Sequence, residues 1–113
     1  LARDAGLADA DLGTRLADAA APVKARCRLA RSLATAPDVL VLEHANALVP
    51  GGALGFGRDI AALAKGRGMA VIALTADEAF ANAVADRVFN LEAATGQLKA
   101  RGGWRRWFGS PGG

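Results

Sequence analysis

Most of the chemistry this chain could perform sits in one short stretch. An apolar run, Val39-Leu40-Val41-Leu42, leads directly into Glu43 and His44. A carboxylate beside an imidazole at a strand end can orient a water, accept a proton or help hold a divalent cation. His44 is the sole histidine, so a zinc site, which takes three or four ligands, has no basis. A replaced, inert position is the plainer reading of His44, ahead of a weak water-orienting base. Cys27 is the sole cysteine, which excludes an internal disulfide. It lies between arginines in a helical pattern and reads as a small, half-buried residue rather than a reactive thiol. No spacing brings it to His44, and no Ser–His–Asp arrangement can be drawn. Residues 52–59 read GALGFGRD, the glycine spacing of a phosphate-cradling G-x-x-x-x-G-K-[ST] loop. Arg58 replaces the lysine there, and Asp59 places a negative charge where a hydroxyl would hold Mg²⁺. That stretch is expected to be a flexible linker into the next helix.

The elements that must position Glu43 and His44 follow from periodicity and punctuation. Residues 1–7 read as the tail of a helix ending near Gly6, and residues 8–21 as turns and caps around Asp9, Asp11, Gly13 and Thr14. A helix is predicted over 22–34, with Pro22 in its first turn, where a missing N–H is harmless. Val23, Cys27, Ala30 and Leu33 or Ala34 form its apolar side, with Lys24, Arg28 and Arg31 pointing elsewhere. Ala36 and Pro37 stop it. Residues 39–42 are short, continuous and apolar, which suits a strand buried on both faces. A glycine-rich loop over 50–57 follows, then a helix marked by Ile60, Leu63 and Ala64 that ends at Gly66 and Gly68. Residues 70–74 form a second buried strand. A third helix covers 78–85, capped by Thr75 or Asp77. Residues 87–91 form a third strand, and Thr95-Gly96 turns the chain so that residues 97–99 pair back as a hairpin edge. Strand, helix, strand, helix, strand predicts an α/β fold with a mostly parallel sheet covered by helices. Ligands in such sheets bind at the carboxyl ends of the strands, which directs attention to the residues after Leu42 and Leu74.

Composition bounds the function classes. At 113 residues with 52% hydrophobic and 22% charged residues, the chain is one ordered domain at most. Alanine supplies much of the apolar content, so the core is thinner than the percentage suggests. The first residue is Leu1, and the chain reads as a piece of a longer protein. No run of 18 apolar residues exists to span a membrane, and no signal peptide is legible. The net charge of +3 is modest. Its basic residues, Lys24, Arg26, Arg28 and Arg31 with Arg101, Arg105 and Arg106, read as solvated faces, and no nucleic-acid recognition motif accompanies them. Residues 100–113 hold Trp104, Trp107 and Phe108 among arginines and read as a basic-aromatic tail.

Two blocks carry a resemblance. The stretch ARCRLARSLATAPDVLVLEHANALVP resembles the part of ABC-transporter ATP-binding domains that runs from the signature helix through Walker B to the D-loop. Further on, GMAVIALTADEAFANAVADRVFNLE resembles their H-loop strand, the following helix and the "ADRV" strand. The resemblance covers residues 1–99. It implies the C-terminal portion of a P-loop NTPase fold, with residues 1–36 as a remnant of the helical subdomain and 37–99 as core strands and helices. It implies ATP and Mg²⁺ as ligands of a longer parent chain, a second ATPase subunit and a membrane permease as partners, and a place at the cytoplasmic face of a membrane.

The same resemblance shows what has been replaced. The family ends its Walker B strand with an Asp that helps hold Mg²⁺ and a Glu that orients the attacking water. Counted from Pro37, Glu43 takes the metal-side position and His44 the catalytic one. Counted back from Ala47, Leu48 and Pro50, Glu43 takes the catalytic position and Leu42 the metal-side one. In both registers one of the two carboxylates is gone. The D-loop Asp position holds Val49 or Pro50. The phosphate-binding signature is replaced by Ala19-Ala20-Ala21-Pro22-Val23, which has no serine or glycine, and Pro22 has no N–H to offer a phosphate. The H-loop histidine is replaced by Ala76. The implied function is a degenerate ATP-binding component of a transporter, without hydrolysis by this chain alone. The alternative is a scaffold or interaction module that kept the fold and dropped the nucleotide. A response-receiver-like domain lacks support, because the paired acids at a first strand end and the later lysine are missing.

Overall fold

The computed structural model describes residues 1–101. The tail aromatics Trp104, Trp107 and Phe108, and Arg105 and Arg106, lie outside the described residues. The first turn closes as a helix end does. Gly6 adopts φ 81°, the Leu7 N–H donates to the Ala2 carbonyl and the Gly6 N–H to that of Arg3. This reverse-turn pairing satisfies carbonyls that a helix end would leave orphaned, and it needs a residue free to enter the left-handed region. Two short 3₁₀ turns, Asp9–Gly13 and Leu16–Asp18, then cross the surface with no buried residue.

Helix α1 is Ala21–Leu33, with Pro22 in its first turn as expected. Its buried stripe is Ala25, Leu29 and Leu33, spaced by one helical turn each, with Ala30 packed alongside. This corrects the predicted apolar side: Val23 and Cys27 are only half-buried. Leucines bury more apolar area than the valine and cysteine, so the helix rotates to put them inward. Ala36, at φ 48°, breaks the helix before Pro37.

Strand β1 is Val39–Glu43 and β2 is Ala70–Leu74; they pair in parallel, Leu40 opposite Val71 and Leu42 opposite Ala73. Helix α2, Ala53–Arg67, forms the crossover between them. It begins inside the stretch predicted as a flexible linker. Gly55 and Gly57 are helical residues, so GALGFGRD makes neither a linker nor a phosphate loop. Gly57 is explained by its neighbour: a Cβ there would stand 3.0 Å from the Cβ of Ala83 and 3.2 Å from the Phe80 ring. Its absence lets α2 lie directly against helix α3, Glu78–Val84. Gly68, at φ 64°, terminates α2 with its N–H on the Lys65 carbonyl.

The expected third parallel strand is not in this sheet. Strand β3, Phe89–Glu92, pairs antiparallel with β4, Gln97–Ala100, as a separate hairpin turning at Gly96. The hairpin itself was legible. The fold is therefore mixed α/β, with a two-stranded parallel sheet rather than a larger one. The core unites Leu29, Leu33, Leu40, Phe56, Ile60, Met69, Phe80 and Val84, with alanines filling the gaps. The helices cover only one side of the parallel sheet. Val39, Val41, Ile72 and Leu74 face outward and are 49–61% exposed. The expectation of strands buried on both faces thus fails within the described residues, because no second layer covers that side. None of the described helices is long and apolar enough to cross a membrane.

Arg26 joins the N-terminal turn to this body, alongside the Arg67–Asp4 pair. Arg26 of α1 donates to the Ala5 carbonyl at 3.2 Å and to Asp59 of α2 at 2.7 Å, and its guanidinium lies 5.4 Å from the Phe56 ring centroid. Expected on a solvated basic face, it is half-buried at a junction of three segments.

Candidate crevice at the strand ends

The loops after β1 and β2 meet at the carboxyl end of the sheet, where the α/β reading places a ligand. β1 ends with Glu43. His44 follows in the left-handed region at φ 49° and opens a 3₁₀ turn, Ala45–Leu48. Its backbone N–H donates to the Leu74 carbonyl at 2.8 Å, extending the parallel ladder by one bond. Ala45 and Val49 are buried and pin the turn to the core. A non-glycine residue in this conformation costs about 1 kcal/mol, and the bond and the two buried anchors hold it there.

A polar relay ties the second loop to the first. Thr75 donates its hydroxyl to Asn46 Oδ1 at 2.7 Å and accepts the Asp77 N–H at 3.0 Å. Asp77 Oδ1 then accepts the Phe80 N–H at 2.9 Å, capping α3. Asp77, rather than Thr75, is therefore the cap, and Thr75 is the inter-loop link. Sequence reasoning passed over Asn46. The available signal was a lone amide among apolar residues three positions beyond a strand end, a residue type that hydrogen-bonds neighbouring loops.

The candidate residues divide between two places. His44 and Ala76 line one concavity with Thr75 and Asp77. Glu43 does not line it. The alternation of β1 puts Glu43 on the open sheet face with Val39 and Val41. Ala19, Ala20, Ala21 and Pro22 form the start of α1, with Ala20 as the N-cap residue, and they do not line the concavity either. Of the D-loop candidates, Val49 is buried in the core and Pro50 is exposed in a turn with Gly51.

Chemically this set is sparse. Among the described residues no three His, Cys, Asp or Glu side chains come together as metal ligands. Glu43 has no second acid beside it on the sheet face, so the residues present do not compose a Mg²⁺ site. The α1 N-terminus has no side-chain cap, and Pro22 removes a donor from its first turn. It does not make the convergent N–H cradle that a phosphate needs. Among the described residues, neither the His44 imidazole nor the Glu43 carboxylate has a hydrogen-bonding side chain that would orient it as a base. A second, smaller concavity, about 550 Å³, is bordered by Arg3, Asp4, Asp59 and Arg67. Its charges are consumed by the Arg67–Asp4, Arg3–Asp9 and Arg26–Asp59 pairs. Compared with known proteins, the chain matches no family model, no curated protein and no solved structure.

Proposed function

We propose that the chain is the C-terminal part of a degenerate ABC-transporter-type ATP-binding protein with a P-loop NTPase fold, acting as a non-hydrolysing or regulatory nucleotide-binding component. Its partners would be a second ATPase subunit and a membrane permease at the cytoplasmic face. One observation supports this reading above the rest. The loops carrying the Walker B-like and H-loop-like stretches lie side by side at the sheet's carboxyl end, linked by the Thr75–Asn46 bond, while the side chains offered there are His44 and Ala76. Two loops of catalytic type, still joined but lacking paired acids, suit a retained scaffold with its hydrolytic chemistry removed. Any nucleotide would be held by parts of a longer parent chain, because the residues of this portion do not fit phosphate or Mg²⁺.

The second reading is an interaction module that kept the fold without nucleotide. The open apolar face formed by Val39, Val41, Ile72 and Leu74 favours it, since such a face suits a docking partner. Equilibrium binding of a labelled ATP analogue to the full-length protein separates the two. Micromolar binding supports the nucleotide-binding reading, and no binding at millimolar analogue supports the module.

A further inference from the structure

We propose that the bare apolar surface formed by the parallel sheet and the β3–β4 hairpin pairs with the same surface of a second copy of this chain. The open face of the sheet presents Val39, Val41 and Glu43 from β1 with Ala70, Ile72 and Leu74 from β2. The hairpin is amphipathic. Phe89 and Leu91 of β3 share one face with Leu98 and Ala100 of β4, and Asn90, Glu92, Gln97 and Lys99 take the other. Ile72, Leu74, Phe89, Leu91 and Leu98 border one hollow, so the two apolar faces are continuous. Seven large side chains of this surface are 41–67% exposed.

Area selects the occupant. At about 30 Å² of apolar surface per side-chain carbon, these half-exposed side chains offer on the order of 450 Å². A standard interface buries about 800 Å² on each partner, of which roughly 55–65% is apolar. An identical surface therefore supplies the apolar share on both sides, and a monomer rarely leaves a patch of this size bare. Charge sets the arrangement, because Glu43 is the one charged residue on these two faces. A two-fold axis lying across the strands at Val41 and Ile72 stacks the sheets with reversed strand directions, and brings Glu43 of each copy over the Val39 end of the other. Four residues of strand then separate the two carboxylates by about 13 Å, beyond the screening length of about 8 Å at physiological salt. An axis along the strands would set them face to face. A contact made of apolar area without polar anchors associates weakly, with a Kd of about 10–100 µM. At the low micromolar concentrations of an unfolding measurement the chain is then a monomer with its sheet face bare.

The test is sedimentation equilibrium of the chain from about 1 to 500 µM, a range that brackets such a Kd. It is run without nucleotide, so its outcome is separate from that of the ATP-binding reading. The mass should rise from 11.5 kDa toward twice that value. Val41→Asp and Leu98→Asp, one on each half of the surface, should each weaken association at least about tenfold, because each buries an unpaired carboxylate in the contact. Arg28→Asp, on the exposed side of α1, should leave association unchanged. Far-UV circular dichroism checks the fold of each variant, and Val41→Thr with Ile72→Thr, or Leu98→Thr, substitutes for an aspartate variant that loses its helical signal. A monomeric mass across the whole range overturns the proposal and leaves the surface to a different partner. So does a dimer left intact by either face substitution, or one that Arg28→Asp weakens as much, since the contact would then lie elsewhere.

Discussion

Arg26 illustrates how a residue read as surface charge becomes structural. Its guanidinium satisfies the Ala5 carbonyl, pairs with Asp59 and lies over Phe56. A flat fork with several fixed donors suits that combination, and an ammonium does not. Arg26→Ala should therefore destabilise the chain by about 1–3 kcal/mol, read from urea unfolding, with Arg26→Lys recovering only part of the loss. His44 makes the opposite case. Its left-handed backbone is useful, while its imidazole has no partner among the described residues. His44→Gly should raise stability by about 1 kcal/mol by relieving the backbone. A loss in the same unfolding measurement would mean that the side chain contributes something unrecognised.

Helix α2 shows why glycine is ambiguous in a sequence. A cluster of glycines normally marks a loop, and residues 50–57 read as one in the sequence. The helix forms over Gly55 and Gly57 because Phe56, Ile60 and Ala64 bury one face, and burial outweighs an intrinsic cost of about 1 kcal/mol per glycine. Only tertiary contact explains Gly57, since Phe80 and Ala83 come from 23 and 26 positions away. The two glycines should respond oppositely to substitution. Gly57→Val should overpack the α2–α3 contact and cost about 1–3 kcal/mol. Gly55→Ala, with open space around its Cβ position, should stabilise by roughly 0.5–1 kcal/mol. Thermal or urea unfolding of the pair checks both signs. By contrast, β1, β2, the Asp77 cap and the Gly96 hairpin were legible, because each depends on local signals: a short apolar run, a carboxylate three residues before an N–H, or a turn glycine. The absence of β3 from the parallel sheet was not, because a strand's sequence does not specify which sheet it joins.

For the whole molecule, the uneven sheet is the dominant feature. Short parallel strands are ordinarily covered on both sides, and here α1 and α2 cover one. Mutational cost should follow that asymmetry. Leu40→Ala, on the packed face, should cost about 2–5 kcal/mol, whereas Val41→Thr, on the open face, should stay within about 0.5 kcal/mol. Comparable losses at both positions would mean that the open face is packed in solution. At this scale the functional reading is also at its most economical. Under the proposed reading, the Thr75–Asn46 bond would link the remnants of the Walker B and H-loop stretches, Glu43 stands on the sheet face without a companion acid, and position 76 is an alanine. The lone acid Glu43 and the alanine at position 76 were legible in the sequence. The separation of Glu43 from the crevice was not, because it depends on which face of β1 the helices cover. The most direct measurement is Mg²⁺-dependent ATP hydrolysis by the purified full-length protein, alongside its Glu43→Gln variant. Both should release phosphate at the background rate, and turnover above background that disappears in Glu43→Gln would contradict the account.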